Sequence, residues 1–278
     1  MDAKTKLTAV VGHPVAHSLS PAIHNAALRH DKRNAVYLAF DVLPDDFEGF
    51  VRGVASGGVV GLNVTIPHKR AAAEICDTLD DLAKQVGAVN TIVVDDNKLI
   101  GHNTDVAGVT KALAEIGEID PDATALVIGS GGAGRAAAWA LAPQVKEVWI
   151  ANRTAARSEK LRASLGRSAR VVPWRELPEA AATADVIVHA TSVGLEADEA
   201  VLGPYELEKA KRCRVLLDVV YGPDETPLVK EARRAGIAAA DGVMMLVHQA
   251  AAAYELFWDA EAPQEVMRRA ALGMVRPG

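Results

Sequence analysis

Three glycines follow a short apolar run with the spacing G-x-G-x-x-G: Gly129, Gly131 and Gly134. In such a loop the first glycine permits a tight turn, the second lets a pyrophosphate approach the backbone, and the third lets a helix pack closely on a strand. Residues 125–128 predict a buried strand, and residues 132–141 predict an alanine-rich helix whose free N–H groups could bind phosphates. Glycines at a strand end often form only a turn, but the flanking strand and helix favour a dinucleotide site.

The residues after the next predicted strand indicate which dinucleotide the loop would bind. Residues 147–151 predict that strand, and Asn152, Arg153, Thr154 and Arg157 follow it. An NAD site usually places Asp or Glu here to accept hydrogen bonds from the ribose hydroxyls. An acid would repel the 2′-phosphate of NADP, whereas a guanidinium pairs with it. The arginines could also be ordinary surface residues, but arginine at a helix start opposes the helix dipole, so we predict NADP.

Length, charge and cysteine content limit the class of protein. The chain has 278 residues and a formal net charge of −6. This length is sufficient for two domains, and the negative charge argues against a nucleic-acid or membrane partner. No apolar run approaches the roughly 20 residues of a membrane helix, and we expect no signal peptide in the short polar start. The distant Cys76 and Cys213 are expected to be reduced residues of a cytoplasmic protein.

Strands and helices alternate along the first hundred residues. The predicted strands of this region are 7–12, 35–42, 59–65, 88–94 and 98–101. Such alternation with helices is typical of a mostly parallel sheet. The first helix is predicted to have Ser20 as its N-cap and Pro21 at its first position, and the last two strands are predicted to be joined by a turn at residues 95–97.

The remaining elements predict an α/β fold with two domains. After a connecting helix at 105–117 and the glycine loop, strands are predicted at 171–172, 186–190 and 215–220. No strand is left for the helices predicted at 242–258 and 263–274, so we expect them to return to the first domain. The nucleotide domain is then inserted, with a ligand cleft between the two. The predicted parts are an open, mostly parallel α/β substrate domain at 1–104, a Rossmann NADP-binding domain at 105–241 and C-terminal helices at 242–278.

Polar residues cluster just after the predicted strands of the first domain, where an open α/β sheet binds its ligands. They are Ser18, Ser20, Asn63, Thr65, Lys69, Asn90, Thr91, Asn103, Thr104 and Asp105. Many hydroxyl and amide groups with one lysine and one aspartate suit a small polyhydroxylated substrate. Each residue also has an ordinary interpretation, as a helix cap, a turn residue or, for Lys69, a solvated surface lysine. The histidines show no metal-binding spacing, so no metal is assigned.

Several blocks of sequence occur in a distinctive order along nearly the whole chain. They are residues 18–21, 63–69 (N-V-T-I-P-H-K), 87–91, 103–105, the glycine loop, 152–154, 190–194, 218–221, 226–228 and 241–249. These blocks resemble the shikimate dehydrogenase family in order and spacing. The N-V-T-x-P-x-K element is specific, and so many blocks in register leave little room for coincidence.

The resemblance implies reversible reduction of 3-dehydroshikimate to shikimate with NADPH, in aromatic amino-acid biosynthesis. It implies that Lys69, paired with Asp105, is the acid/base. By the same likeness the substrate would be bound by Ser18, Ser20, Thr65, Asn90, Asp105, Tyr221 and Gln249. The residues lining the cofactor would be Gly129, Ser130, Gly131, Gly132, Ala133, Asn152, Arg153, Thr154, Arg157, Val219 and Gly242.

Three positions depart from the usual pattern of the family. Ser130 stands where the family usually has Ala, His189 replaces the common Asn before Ala-Thr-Ser, and Met244 stands where a second glycine is frequent. The change at Ser130 should be tolerated, since the backbone makes the phosphate contacts. The sequence leaves the hydrogen bonds of His189 undefined.

Two other functions stay open. An NAD-linked quinate/shikimate dehydrogenase of the same superfamily is disfavoured by Asn152 and Arg153, and by serine at both Ser18 and Ser20. A non-catalytic nucleotide sensor of the same fold is disfavoured because a sensor needs no acid/base. The sequence leaves open whether the chain forms a homodimer.

Overall fold

The structure, a computed structural model, describes residues 1–194, 200–222 and 224–275. The chain forms two compact units, one made of residues 1–104 and the residues from 246 onward, the other of residues 105–245. The second unit is therefore a continuous stretch inserted into the first. Its last three residues, 243–245, are the start of the helix Val243–Trp258.

The first unit is built on a mixed sheet. Its strands are β1 (Lys6–Gly12), β2 (Ala35–Asp41), β3 (Gly61–Val64), β4 (Thr78–Leu79), β5 (Thr91–Asp95) and β6 (Lys98–His102), in the spatial order β2-β1-β3-β5-β6-β4. Strand β1 pairs in parallel with β2 and β3, and β6 pairs in parallel with β4. Strand β5 runs antiparallel to β3 and β6. The carboxyl ends of β1 and β3 therefore lie at the same edge of the sheet.

Four helices follow these strands in the first part of the unit. They are α1 (Ser20–His30), α2 (Phe47–Ser56), α3 (Lys69–Ile75) and α4 (Asp81–Val86). The prediction that Ser20 caps α1 was wrong. Leu19 is the N-cap residue and already has helical dihedral angles, φ −82° and ψ −8°. Ser20 is therefore the first helical residue. Its N–H donates to Ser18 Oγ at 3.3 Å.

The predicted hairpin is confirmed, whereas two short elements beside it were not predicted. Asp96 and Asn97 have φ values of 45° and 61°, and two successive left-handed residues form the type I′ turn that suits a tight hairpin. Strand β4 has only two residues, which is too short for an alternation of apolar and polar residues to be visible. Helix α4 has only six residues, and its clearest sequence signal is its N-cap. The Asp80 carboxylate accepts a hydrogen bond from the Ala83 N–H at 2.6 Å.

The second unit contains a parallel, doubly wound sheet. Its strands are β7 (Thr124–Ile128), β8 (Glu147–Ala151), β9 (Ala169–Val172), β10 (Val186–His189), β11 (Val215–Asp218) and β12 (Ala238–Ala240), in the order β12-β11-β10-β7-β8-β9. Counted from the β9 edge this is the 3-2-1-4-5-6 order of Rossmann folds, whose ligand site lies where the order reverses, at the carboxyl end of β7. Strand β12 was not predicted, since three alanines carry no strand signal.

Helices cover both faces of this parallel sheet. They are α5 (Asp105–Ile116), α6 (Gly132–Leu141), α7 (Ala155–Leu165), α8 (Leu177–Thr183), α9 (Pro204–Lys209) and α10 (Pro227–Arg234). Val127 packs among residues of α5, α6 and α7 on one face, and its neighbour Leu126 packs among residues of α8, α9 and α10 on the other. Because the central strands are buried on both sides, they are apolar throughout rather than alternating.

Two C-terminal helices, α11 (Val243–Trp258) and α12 (Gln264–Val275), end the described chain. Helix α12 packs against α1, and Tyr254 of α11 is fully buried in the first unit. The Tyr254 hydroxyl donates to the Asp31 carboxylate and accepts from Arg33 Nε at 3.0 Å. The predicted return of these helices to the first part of the fold is confirmed. Within the described ranges, no helix combines the length and apolar character needed to cross a membrane.

Candidate active site

A buried polar network joins two of the predicted substrate residues in the first unit. Asn90 Nδ2 donates to Thr104 Oγ1 at 2.9 Å and to Gln249 Oε1 at 3.3 Å. Asn90 Oδ1 accepts from the Thr104 backbone N–H at 2.7 Å, and Gln249 Nε2 donates to the Leu246 carbonyl at 2.9 Å. Because a backbone N–H only donates and a carbonyl only accepts, both side-chain amides have a fixed orientation. The structure therefore brings together residues that lie far apart in sequence.

Thr65 lies on the short connection between β3 and α3, Lys69 is the first residue of α3, and both are half-buried. The Thr65 N–H donates to the Val11 carbonyl at 2.9 Å, and the Lys69 carbonyl accepts from the Val89 N–H at 2.9 Å. A Cβ at Gly12 would lie 2.3 Å from Thr65 Cγ2, so the connection packs directly on the end of β1. Both residues are thus held at the carboxyl edge of the sheet.

Asp105 and Tyr221 belong to the second unit. Asp105 is the first residue of α5 and is only 3% exposed. Tyr221 follows β11, and burial raises the pKa of its phenol, which is therefore neutral and able to donate a hydrogen bond at physiological pH. The pairing of Asp105 with Lys69 of the first unit stays a prediction.

The three loop glycines meet different steric conditions. Gly129 has φ +114°, and a Cβ there would lie 2.4 Å from the Ala190 carbonyl oxygen. A Cβ at Gly134 would lie 2.2 Å from the Gly129 carbonyl oxygen, whereas a Cβ at Gly131 meets no atom within 4 Å. The first and third glycines are therefore required by the fold. The open space at the second lies at the N-terminus of α6, where a pyrophosphate would approach.

The other predicted cofactor residues around this loop lie at the same edge of the second sheet. Gly132 and Ala133 form the first two positions of α6. Ser130 is buried, and its Oγ has no hydrogen-bond partner among the described residues. A Cβ at Gly242 would lie 2.1 Å from the Val219 carbonyl oxygen, so these two backbones approach each other closely.

The predicted cofactor-selecting residues follow β8. Asn152 Nδ2 donates to the Thr154 carbonyl at 3.1 Å, and Thr154 occupies the N-cap position of α7 without a side-chain cap bond. Arg153 and Arg157 are both exposed. In the described part of the chain neither has an acidic partner, which leaves both guanidinium groups available to a ligand. Their convergence on one phosphate stays a prediction.

The structure supplies the hydrogen bonds of His189 that the sequence left undefined. His189 is 1% exposed at the end of β10, with Nδ1 2.8 Å from Asp218 Oδ1 and Nε2 2.5 Å from Thr191 Oγ1. Asp218 also accepts from the Thr226 hydroxyl at 2.6 Å. An imidazole that donates from Nδ1 to Asp218 and accepts at Nε2 from Thr191 satisfies every group. Since Thr191 Cγ2 lies 3.1 Å from the Cβ position of Gly129, this cluster supports the glycine loop.

Together these features define a class of protein, the two-domain α/β dehydrogenases with a Rossmann nucleotide unit. Within the described ranges, no group of His, Cys, Asp or Glu side chains could hold a metal ion. A dinucleotide held at the glycine loop would supply hydride-transfer chemistry.

Comparison with known proteins identifies the family. The model described as "shikimate dehydrogenase substrate binding domain" matches residues 10–92, "shikimate / quinate 5-dehydrogenase" matches 111–243, and "shikimate 5'-dehydrogenase C-terminal domain" matches 242–272. A shikimate dehydrogenase (NADP(+)) from Methanopyrus kandleri is 45% identical over 284 residues, which cover 99% of this chain and 98% of that protein. The chain belongs to the shikimate dehydrogenase family, as its sequence blocks predicted.

Solved structures of relatives have the same fold. Shikimate 5-dehydrogenase from Thermus thermophilus, in complex with NADP(H) and shikimate, gives a TM-score of 0.86 at 37% identity, covering 96% of this chain and 98% of that one. Quinate dehydrogenase from Corynebacterium glutamicum, in complex with NAD, gives 0.88 at 31% identity, covering 97% and 99%. The two-unit α/β fold is therefore shared by relatives that differ in substrate and cofactor.

The different steric roles of the loop glycines can be tested by measuring the stability of alanine variants. We expect Gly134→Ala to lower the free energy of unfolding by about 3 kcal/mol, because the new Cβ would overlap the Gly129 carbonyl. Gly131→Ala should change stability by less than about 1 kcal/mol, because its site is open and its φ of −74° suits alanine, although alanine is a poorer N-cap than glycine. Urea denaturation of both variants tests this. Equal losses would contradict the steric assignment.

The buried His189–Asp218 pair has a matched surface control. His30 Nδ1 lies 2.8 Å from Asp31 Oδ1, the same separation, but the His30 side chain is exposed. We expect His189→Ala to cost about 2 to 4 kcal/mol, since it leaves a buried carboxylate without one of its donors. His30→Ala should cost below about 1 kcal/mol. Thermal and urea unfolding would compare the two, and similar losses would show that burial does not strengthen the dependence on His189.

Proposed function

We propose that this protein catalyses the reversible NADP-dependent reduction of 3-dehydroshikimate to shikimate in aromatic amino-acid biosynthesis. The observation that carries the proposal is the oriented network around Asn90 and Gln249 at the polar edge of the first sheet. Its amides and hydroxyls are already fixed in direction, and such a surface suits a small ring that carries several hydroxyl groups. Family membership and the names of the full-length relatives support the same reaction.

The proposed substrate site consists of hydrogen-bonding side chains. We assign substrate binding to Ser18, Ser20, Thr65, Asn90, Asp105, Tyr221 and Gln249. Each offers a hydroxyl, an amide or a carboxylate group to a polar substrate. The neutral Tyr221 phenol would donate to a carboxylate or hydroxyl oxygen of the substrate.

The proposed acid/base is Lys69. Reducing a ketone requires a hydride at carbon, which NADPH supplies when bound, and a proton at oxygen. The Lys69 ammonium, placed beside the carbonyl oxygen, would stabilise the developing alkoxide and donate that proton. The Asp105 carboxylate would orient the ammonium and accept a hydrogen bond from a substrate hydroxyl. In the oxidative direction the neutral Lys69 amine takes the proton of the alcohol.

The proposed NADP site begins at the glycine loop. We assign the cofactor lining to Gly129, Ser130, Gly131, Gly132, Ala133, Asn152, Arg153, Thr154, Arg157, Val219 and Gly242. The open backbone at Gly131 and the N-terminus of α6 fit a pyrophosphate. The exposed guanidinium of Arg153, after a neutral amide rather than an acid, fits a 2′-phosphate.

An NAD-linked quinate or shikimate dehydrogenase is the second candidate. The high structural similarity to a quinate dehydrogenase solved with NAD supports this second candidate. Asn152 and Arg153 argue against it, since that position of an NAD site usually carries an acid. Initial rates with shikimate and quinate, each with NADP and NAD, distinguish the two. Activity confined to shikimate with NADP supports the first proposal.

We also propose the roles of the chain segments and the compartment. Residues 1–104 would form the substrate domain, 105–241 the NADP domain and 242–278 the C-terminal helices that return to the first. Cys76 and Cys213 are both free, and burial raises the pKa of each thiol to about 12. Unpaired, unreactive thiols suit the reducing cytoplasm. Sedimentation analysis would decide whether the chain forms a homodimer.

Replacing Lys69 tests the acid/base assignment. We expect Lys69→Ala to lower kcat for shikimate oxidation by about 10²- to 10⁴-fold, the usual cost of losing a general acid/base, with little change in the KM for NADP. Lys84→Ala is the matched control, since Lys84 lies on α4 of the same unit and is exposed. It should leave kcat unchanged. An unchanged kcat in Lys69→Ala would remove Lys69 from the mechanism.

Replacing Arg153 tests the cofactor assignment. We expect Arg153→Ala to raise the KM for NADP about tenfold or more while changing the KM for NAD little, because only NADP carries the 2′-phosphate. Arg162→Ala on α7 is the control, since that guanidinium pairs with Glu159 at 2.8 Å. Steady-state kinetics with both cofactors measure the effect. Equal weakening of NADP and NAD would show that Arg153 does not contact the phosphate.

A further inference from the structure

His189 and Asp218 lie side by side at the carboxyl ends of two neighbouring parallel strands. They are register partners in the pairing of β10 with β11, so their side chains leave the same face of the sheet. On that face Ile187 and Leu216 pack among residues of α8, α9 and α10. Each member of the pair is only 1% exposed. Apolar residues could fill such positions at no cost in stability, so the buried pair suggests a further role.

The Asp218 carboxylate accepts hydrogen bonds from three segments of the second unit. Its Oδ1 lies 2.8 Å from His189 Nδ1 and accepts from the Val220 N–H at 3.1 Å. Its Oδ2 accepts from the Thr226 hydroxyl at 2.6 Å. Thr226 is the N-cap residue of α10. The carboxylate therefore joins the end of β10, the segment that follows β11 and the start of α10.

The other ring nitrogen of His189 holds Thr191, two residues along the chain. Nε2 lies 2.5 Å from Thr191 Oγ1, which also accepts from the Val193 N–H at 3.2 Å. Because a carboxylate only accepts, Nδ1 carries the ring proton, and Nε2 accepts the hydroxyl proton of Thr191. The Thr191 methyl group then faces the loop, where Cγ2 lies 3.1 Å from the Cβ position of Gly129. His189 therefore sets the rotamer of a residue that contacts the first loop glycine.

The backbone after β11 is fixed beside Thr191. The Val219 N–H donates to the His189 carbonyl at 2.9 Å, and the Val220 carbonyl accepts from the Gly242 N–H at 3.0 Å. Thr191 and Val219 are both half-buried, so each keeps some surface at this edge of the sheet that a ligand could contact.

The strand order indicates which half of a dinucleotide would meet these two residues. In the proposed NADP site Arg153, which follows β8, binds the 2′-phosphate, so the adenosine half lies over β8. The pyrophosphate lies at the start of α6, directly after β7. A dinucleotide crosses a Rossmann sheet where the strand order reverses, which is here between β7 and β10. The nicotinamide half therefore lies over β10 and β11, where Thr191 and Val219 follow the strands.

We propose that His189 is a positioning residue for the nicotinamide half of the cofactor, which acts through Thr191 while Asp218 holds the imidazole in place. The proposal rests on the proposed NADP site. An imidazole can join the carboxylate and the hydroxyl because its two nitrogens lie on opposite sides of the ring. Asparagine has a nitrogen bonded to Cγ, as Nδ1 is, but no atom at the place of Nε2. His189→Asn therefore keeps a donor for Asp218 and releases Thr191.

The test compares the binding of two ligands to His189→Asn by isothermal titration calorimetry. The ligands are NADP and adenosine 2′,5′-bisphosphate, which is the adenosine half of NADP without the nicotinamide. We expect the Kd for NADP to rise about threefold to tenfold, the range for losing the order that one hydrogen bond provides. The Kd for the bisphosphate should stay within about twofold, because that ligand does not reach β10 or β11.

Asp185→Asn is the matched control for a general loss of stability. Asp185 directly precedes β10, at the opposite edge of the sheet. It accepts from the Thr124 N–H at 2.9 Å and pairs with Arg212 at 3.0 Å. This variant should lower the melting temperature and leave both Kd values unchanged. Arg153→Ala should instead raise both Kd values, since both ligands carry the 2′-phosphate.

Thr191→Val shows whether His189 acts through Thr191. Valine keeps the branched shape and removes only the hydroxyl that His189 holds, so the Kd for NADP should rise as it does in His189→Asn. Adding His189→Asn to Thr191→Val should then raise this Kd clearly less than His189→Asn does alone. If His189→Asn does not fold, Thr191→Val by itself tests the proposal with the same two ligands.

The outcomes separate this inference from the proposed function. An unchanged Kd for NADP, an equal rise for both ligands, or full additivity of the two substitutions overturns the positioning role. A rise for NADP that Asp185→Asn reproduces overturns it as well. A wild type that binds NADP but does not oxidise shikimate overturns the proposed function and leaves the inference standing. A wild type that does not bind NADP overturns both.

Discussion

The free energy cost of burying an unpaired polar group governs the first unit. Asn63, Asn90, Thr91 and Thr104 are each at most 5% exposed, yet each finds hydrogen-bond partners within the network. Because their amide and hydroxyl groups satisfy one another, no member can turn without leaving another unpaired. A ligand that meets this surface encounters donors and acceptors whose directions were set during folding, which reduces the entropy lost on binding. Buried polar groups that are fully paired in this way fix the orientation of the side chains as well as adding to the stability of the fold.

The second unit depends on a steric constraint instead. Backbone atoms approach so closely at Gly129, Gly134 and Gly242 that a single methyl group would overlap a carbonyl oxygen at each place. Helix α6 therefore sits against the end of β7, and its N-terminal N–H groups face the switch point of the sheet. The His189 cluster adds to this by fixing Thr191 against the same loop. The first unit is ordered by the direction of its buried hydrogen bonds, whereas the second is ordered by close backbone contacts at glycines.

Much of the fold could be predicted because its signals are local. Apolar runs marked most strands, Asp95–Asn97 marked the hairpin, and the glycine spacing marked the nucleotide loop. The features that were not predicted lack such local signals. The two-residue β4 and the all-alanine β12 carry no local pattern, and Ser20 looks like an N-cap until the dihedral angles of Leu19 are known. Pairs such as Tyr37 with Asn63, or His189 with Asp218, depend on strand register and direction. No spacing in the sequence encodes them.

The division of the chain also affects its synthesis. The inserted unit is continuous, whereas the other is made from both ends of the chain and needs α12 to pack against α1. A ribosome releases residues in order, and domains tend to fold as units once their residues have emerged. The nucleotide unit is therefore complete in sequence before α12 has emerged. The unit translated first completes itself last, and the side of α1 that α12 will cover stays open to chaperones throughout that interval.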